Sequence, residues 1–381
     1  MDKYKNSIID FFGERSFVLS IYLLASMYTI SFSGFASFQV VNILLMGIRV
    51  IAYSLVAIKF FIDLFNKKCK AYLIEIVLFG IFMMFISYKS KTINYFVYFV
   101  LIVVGKDVKY IDIIKAAFYG IFSCTAFVII MSLFGIIDDS ISSLGFRNRH
   151  SLGFDFPACG ANYIFYSILY YIYVRKDKMK WFEILVAFAI NLIIFILTDT
   201  KSAFMYGTLA LLITLVINYN SKFRIYKRIY TFIMYLASIV LPLFAVIITY
   251  LYNENNKIFV RLNGLLTGRL RLGKTALNEY GVKLFGQYVK ISIGEDPNLP
   301  YNVIDSSYVQ YLIILGLVFF IIMIVFFLCF SNQIGEKKDI YLFYIFTILL
   351  CHATFDKIIL QLSNNYFMFL WSYKNTVANN E

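Results

Sequence analysis

The residues best suited to chemistry lie in the polar intervals of a chain that is otherwise apolar. The longest interval, 253–305, carries Arg261, Arg269, Arg271, Lys274, Lys283 and Lys290 among asparagines, glycines and prolines, and it ends on Asp305. A second, DDSISSLGFRNRHSLGFDFP, gathers Arg147, Arg149 and His150 in one short run. Guanidinium forks bind phosphate oxygens through paired donors, and an imidazole accepts a proton near neutral pH, so this run has the make-up of an anion site with a base beside it. The plainer alternative is a solvated loop with ordinary charges. Lys201, after Asp199 and Thr200 in ILTDTKSAF, tops a tight turn and adds positive field.

Within the long interval, TGRLRLGKTALNEYG predicts a short helix with Thr267 as its cap. At about 100° per residue, Leu270 and Leu277 share one face, while Arg271, Thr275 and Asn278 lie on an adjoining polar face. Arg269 projects nearly opposite Arg271. A regular helix cannot bring both to one phosphate, so one is expected to be the anion ligand and the other a structural or second-site contact. Asp305 directly precedes an apolar run, either as its cap or as a catalytic carboxylate. His352 and Asp356, in CHATFDK, are four apart and share a helical face. Arg49, in ILLMGIRVIAYS, falls mid-run, where an arginine costs roughly 2.5 to 3.5 kcal/mol on insertion scales. It is expected to face a ligand or to pair with a buried acid. Glu75 is read as interfacial.

The elements that must position these groups are membrane spans. Of 381 residues, 61% are hydrophobic and 15% charged, against about 25% charged in soluble domains. Taking about 20 apolar residues per crossing, twelve helices are predicted, near 17–34, 38–65, 71–88, 92–105, 110–136, 156–174, 181–198, 202–218, 230–252, 307–330, 338–354 and 358–373. The expected fold class is therefore all-α and polytopic, one membrane domain with a single large loop containing short helices between the ninth and tenth spans. The first run, behind Lys3 and Lys5, is read as an uncleaved helix. Gly80, Gly120 and Gly207 are expected to allow close helix approach.

Net charge is +13, yet the Lys and Arg are spread through short gaps as topology requires, which excludes nucleic acid as the partner. Lys67, Lys68 and Lys70, the 175–180 cluster, the 222–228 cluster and Lys337 with Lys338 place those loops inside. Both termini are then cytoplasmic, and 253–305, the RNRH run and both histidines face out. The long loop thus becomes one half of an expected site, with RNRH, His352 and Asp356 completing it. Five scattered cysteines without a C-x-x-C pair imply neither a disulfide framework nor a zinc site. There is no Walker loop, G-x-S-x-G elbow or H-E-x-x-H.

Five pieces, taken in order, resemble the Wzy family, the polytopic polymerases of bacterial capsular and O-antigen repeat units. They are RNRHSLGF, TDTKSAF, LNGLLTGRLRLGKTAL with YGVKLFGQ, DSSYVQYLIILGL and CHATFDK. The resemblance covers the chain from about residue 140 onward; residues 1–135 match only in hydropathy. It implies a GT-C-like fold in the bacterial cytoplasmic membrane and a metal-independent glycosyl transfer without cofactor. The substrates would be an undecaprenyl-diphosphate-linked oligosaccharide donor and acceptor, and a flippase and chain-length regulator of the same pathway would be partners. By motif, Arg147 or Arg149 and Arg269 or Arg271 would hold the diphosphate, with Gly286 shaping the loop; Arg49, Lys201 and Asp356 are candidate substrate contacts from their own positions in the sequence. Asp305, His352 and His150 are the base candidates. One departure stands out: related proteins often have His-Pro-Asn after S-L-G-F, where this chain has Phe156, Pro157 and Ala158. That histidine's role is absent here or has passed to His150. A ligase that moves a finished glycan to another acceptor is the nearest alternative. A flippase or exporter of the same lipid would instead set its charges at mid-membrane along a path serving both sides.

Overall fold

Long apolar runs bounded by Gly, Asn, Asp and Lys fold as helices because every backbone polar group is then satisfied within the segment. The computed structural model describes residues 2–65, 73–144, 147–220, 227–292, 302–369 and 372–373. Six helices among them are long and apolar enough to cross a membrane, the build of an all-α, multi-pass membrane protein. They belong to α2 (Gln39–Phe65), α5 (Tyr110–Leu133), α7 (Trp181–Thr198), α8 (Lys201–Tyr219), α9 (Lys227–Leu251) and α13 (Gly316–Lys337). The others are α1 (Asp2–Ser31), α3 (Leu73–Ser90), α4 (Asn94–Val104), α6 (Pro157–Arg175), α10 (Lys257–Leu265), α11 (Arg269–Tyr280), α12 (Ser307–Ile314) and α14 (Ile340–Ala353). Much of the outward surface is apolar: on α2, Val40, Ile43, Leu44, Met46 and Val50 are all exposed, as suits a lipid solvent.

The chain forms two compact units, with the boundary falling inside α3 and again inside α4. In the first unit, α1 packs along α2 and α5. A Cβ at Gly120 would come within 2.9 Å of both Ala25 Cβ and the Tyr22 carbonyl, so this glycine does let α5 close on α1. Gly207 likewise admits the Asn191 side chain at 3.0 Å. Gly80 does not fit that expectation, since a Cβ there would meet only a Phe99 ring atom at an ordinary 3.6 Å. A hairpin of β1 (Ile141–Leu144) and β2 (Arg147–His150), paired antiparallel with Ile141 opposite His150, forms where a plain loop was expected.

One charged pair inside the first unit escaped the sequence reading. Lys59 Nζ lies 2.5 Å from Asp63 Oδ1 on α2, with both side chains almost fully buried. The spacing is one helical turn. A Cβ on Gly13 of α1 would sit 3.1 Å from Lys59 Cδ, so the absent side chain at Gly13 makes room for the lysine stem.

Two expected helices differ in the structure. The predicted 307–330 helix is broken: α12 ends at Ile314, and α13 begins at Gly316, which has φ +90°. The predicted twelfth helix is absent, since residues 354–369 form turns and irregular backbone although most of them are buried. Buried irregular backbone needs hydrogen-bond partners, and side chains supply them. In the second unit the Ser307 hydroxyl donates to the Asp356 carbonyl at 2.6 Å, and the Leu360 N–H donates to Tyr311 Oη at 3.1 Å. In the first unit the Tyr170 hydroxyl donates to the Asn364 carbonyl at 2.5 Å and accepts from the Tyr366 N–H at 2.8 Å. Tyr110 Oη donates to the Phe367 carbonyl at 2.9 Å, and Ser372 Oγ donates to the Val108 carbonyl. Asn365 and Pro-free LSNNYF thus make a structure that hydropathy alone reads as a helix.

Candidate functional site

The second unit brings together Arg269, Asp305, His352 and Asp356. Arg269 is the first residue of α11, and Asp305 stands two residues before α12. The helix is entered through Thr267 at φ +54° and Gly268 at φ +86°, and Gly268, not Thr267, occupies the N-cap position without any side-chain cap bond. Leu270, Gly273 and Ala276 are buried, and a Cβ at Gly273 would strike Thr249 Cγ2 at 2.8 Å. Those small residues press α11 against α9. The expectation of a shared face for Leu270 and Leu277 therefore holds for the first residue better than for the second, which is only half-buried.

Arg269 Nε lies 3.6 Å from Asp305 Oδ2, with both side chains about a quarter exposed. This is a charge contact longer than a hydrogen bond. Asp305 does not cap α12, whose N-cap is Ser306. Burial pushes its carboxyl above the usual carboxylate range; the Arg269 charge opposes this, Asp356 adds to it and Lys357 opposes it. The structure thus removes the cap reading and leaves a carboxyl that holds its proton more tightly than an exposed one.

His352 Nε2 is 3.9 Å from Asp356 Oδ2, with the imidazole at 1% exposure. Arg269 and Asp356 are its charged neighbours. The Asp356 backbone is held by its own N–H to the His352 carbonyl at 3.0 Å and by Ser307, whose N–H and hydroxyl both reach the Asp356 carbonyl. Ser307 opens α12, so the acid after α14 is fastened to the helix that follows Asp305.

The loop 283–287 is clamped on the α12–α13 break. Leu317 N–H donates to the Lys283 carbonyl at 2.9 Å, Val318 N–H to Leu284 at 3.1 Å, and Gln287 N–H to Ile314 at 3.0 Å. Gln287 Nε2 reaches the carbonyls of Tyr280 and Gly281, both at 3.1 Å. One amide side chain therefore ties the end of α11 to the segment docked on α12. Gly286, expected to shape this loop, has φ +76°, and a Cβ there would lie 2.3 Å from the Ile314 carbonyl oxygen.

Arg271 points elsewhere. It is exposed, and with Lys274, Thr275 and Asn278 it lines a cleft beyond the end of α9. The two arginines do diverge, as helical spacing requires.

The first unit holds the remaining candidates. His150 Nδ1 lies 2.5 Å from Asp139 Oδ2, and Asp139 Oδ1 accepts from the Leu152 N–H at 2.7 Å. Arg149 Nε donates to the Thr198 carbonyl at 2.9 Å and its Nη2 to Thr200 Oγ1 at 3.2 Å. Arg149 and His150 are thus engaged by different partners. On a strand, successive side chains point to opposite faces, so Arg149 is drawn to the α7–α8 turn while His150 pairs with Asp139. The Arg147 side chain lies outside the described residues. Lys201 opens α8 and is exposed. Arg49 is exposed on α2; its Nε lies 3.5 Å from Met27 Sδ, and no carboxylate pairs with it among the described residues. Of the two alternatives for Arg49, the pair with a buried acid is not found among the described residues.

Sequence reasoning missed Lys59 with Asp63, Asp139, Gln287 and Tyr170. Only the first had a readable signal, opposite charges four apart inside an apolar run. The side chain of Glu75, and Lys67, Lys68, Lys70 and all of 293–301, lie outside what the structure describes. No family model, curated protein or solved structure matches the chain.

Proposed function

We propose that the chain is a glycosyltransferase of the Wzy type, which polymerises undecaprenyl-diphosphate-linked oligosaccharide repeat units at the outer face of a bacterial cytoplasmic membrane. A GT-C-like arrangement of spans with both termini cytoplasmic belongs to the same proposal. The observation that carries it is the pairing of Arg269 with Asp305 at the adjacent starts of α11 and α12. Glycosyl transfer from a lipid diphosphate needs a cation for the departing group and a base for the attacking hydroxyl, and these two side chains supply one of each.

In this mechanism the acceptor hydroxyl oxygen attacks the anomeric carbon of the donor. The bond from that carbon to the diphosphate oxygen breaks, and the diphosphate leaves with the electron pair. The acceptor proton passes to ionised Asp305. Arg269 engages Asp305 through Nε alone, so its remaining N–H groups are available to the diphosphate. Exposure favours Asp305 over His352 as the base: at 1% exposure the imidazole is too buried to meet a sugar hydroxyl. His352 is then a positioning residue that acts with Asp356.

The test is incubation of the purified protein with a defined lipid-linked repeat unit and no added metal, followed by sizing of the glycan. A ladder of products is expected. Movement of the lipid between leaflets without a new glycosidic bond would make the chain a flippase and overturn the proposal, and transfer of a preformed glycan to a different acceptor would make it a ligase.

A further inference from the structure

The polar cleft beyond the end of α9 is not used by the Arg269–Asp305 chemistry. It has a volume of about 690 Å³, inside the range of about 300–1,000 Å³ typical of small-molecule sites. Its walls come from the last residues of α9, the 252–255 segment that follows and one face of α11, with Tyr250, Asn253, Glu254, Asn255, Arg271 and Asn278 the residues that matter.

Three observations define what would fit. First, the cleft contains two cations, and only one is committed. Lys274 Nζ donates to the Tyr250 carbonyl at 2.6 Å and lies 4.6 Å from the centre of the Tyr250 ring, where it neutralises the C-terminal end of α9. The Arg271 guanidinium is engaged by no hydrogen bond or ion pair among the described residues, although its backbone N–H is held by Asn263 Oδ1 at 3.1 Å. Second, the same cleft contains Glu254, whose carboxylate repels a doubly charged diphosphate. With Lys274 committed to the end of α9, Arg271 is the one cation of the lining left to meet a ligand, which suits a single negative charge. Third, the remaining wall is amide and phenol. Asn255 and Asn278 each offer a carbonyl acceptor and an amide N–H donor, and Asn253, whose Oδ1 accepts from the Asn255 N–H at 2.9 Å, adds its amide donor, a set that matches hydroxyls, which both give and take a hydrogen bond.

We propose that this cleft binds a saccharide bearing one carboxylate, with the Arg271 fork on the carboxylate and the asparagine amides and Glu254 on the ring hydroxyls. Naming the ligand a saccharide rests on the proposed polymerase function; the single negative charge rests on the cleft itself. Arg269 and Arg271 then divide the work, the first at the diphosphate and the second on an acidic sugar of the repeat unit away from the bond being made. A bidentate guanidinium contact discriminates a carboxylate from a neutral hydroxymethyl group.

The test uses the full chain in detergent micelles, titrated calorimetrically with a water-soluble trisaccharide containing one glucuronic acid and two glucose residues, with the neutral glucose trisaccharide, and with inorganic diphosphate. The acidic trisaccharide is expected to bind at least tenfold more tightly than the neutral one, about 1.4 kcal/mol. Arg271→Gln, a change on an exposed side chain, should abolish that preference, whereas Arg269→Gln should keep it. Asn278→Ala should weaken both trisaccharides together. Equal binding of the two trisaccharides, tighter binding of diphosphate at Arg271, or an undiminished preference in Arg271→Gln would overturn the proposal. Because the sugars carry no lipid and no bond is made, a protein that binds them yet yields no ladder keeps the cleft and loses the polymerase, and the reverse result does the opposite.

Discussion

Replacing Gly286 by alanine is the sharpest probe of how the 283–287 loop is seated. The residue has φ +76°, and the new Cβ would lie 2.3 Å from the Ile314 carbonyl oxygen, 2.9 Å from the Leu315 carbonyl carbon and 3.0 Å from Leu315 Cα. All three are backbone atoms, which cannot rotate away. The left-handed conformation costs an L-residue about 1–2 kcal/mol. Relieving the contact means moving the loop off the break by about 1 Å to restore a normal C···O separation of about 3.3 Å, which strains the Gln287 N–H bond to Ile314 and adds about 1–3 kcal/mol as overpacking. The total is about 2–5 kcal/mol, a large part of a typical folding free energy of about 5–15 kcal/mol. Gly268→Ala supplies the control: its φ of +86° and ψ of −1° are left-handed, but nothing lies within 4 Å of its Cβ, so only the conformational part, about 1–2 kcal/mol, applies. Thermal unfolding in detergent, read by tyrosine and tryptophan fluorescence, should place Gly286→Ala well below Gly268→Ala. Equal melting temperatures for the two variants would refute the clamped loop.

Three further outcomes are expected. Arg269→Ala should abolish polymer and leave single lipid-linked repeats on the outer face, measured by sizing extracted glycans; full-length polymer would sink the assignment of the diphosphate cation. In the pH profile of polymer formation, the acid limb should lie above the ordinary carboxylate range because burial raises the Asp305 pKa, and Lys357→Gln, by removing an opposing charge outside the proposed catalytic pair, should move that limb still higher; a limb that moves down would contradict the geometry. The linkage sign agrees: a carboxyl with a raised folded-state pKa favours folding most when protonated, below its unfolded pKa, and that contribution is lost as pH rises through the folded value. Lys59→Met should destabilise the fold by removing the charge 2.5 Å from buried Asp63, while Lys59→Met with Asp63→Leu should recover most of the loss. Denaturant titration in detergent would show it, and a single variant as stable as the double one would refute the buried pair.

Helical periodicity made several features legible. The divergence of Arg269 from Arg271 follows from 3.6 residues per turn and needs no knowledge of neighbours. The i,i+4 relation of His352 to Asp356 follows in the same way. The RNRH run reads as one cluster along the sequence, whereas strand alternation sends Arg149 and His150 to different partners. The final span was misjudged because buried, apolar and aromatic residues score as a helix whether their backbone is satisfied by a helix or by the hydroxyls of Tyr110 and Tyr170.

The sequence by itself determined the solvent the protein folds in, the helical class, and the polar intervals in which chemistry is possible, because hydropathy and helix period are local properties of consecutive residues. Only the tertiary structure decided that Asp305 faces Arg269 instead of capping α12, that Gly286 and Gly316 meet at a broken helix, and that Arg271 opens onto a cleft of its own. Each of those depends on residues far apart in the chain arriving at one place, and no spacing along the sequence encodes a distance through space.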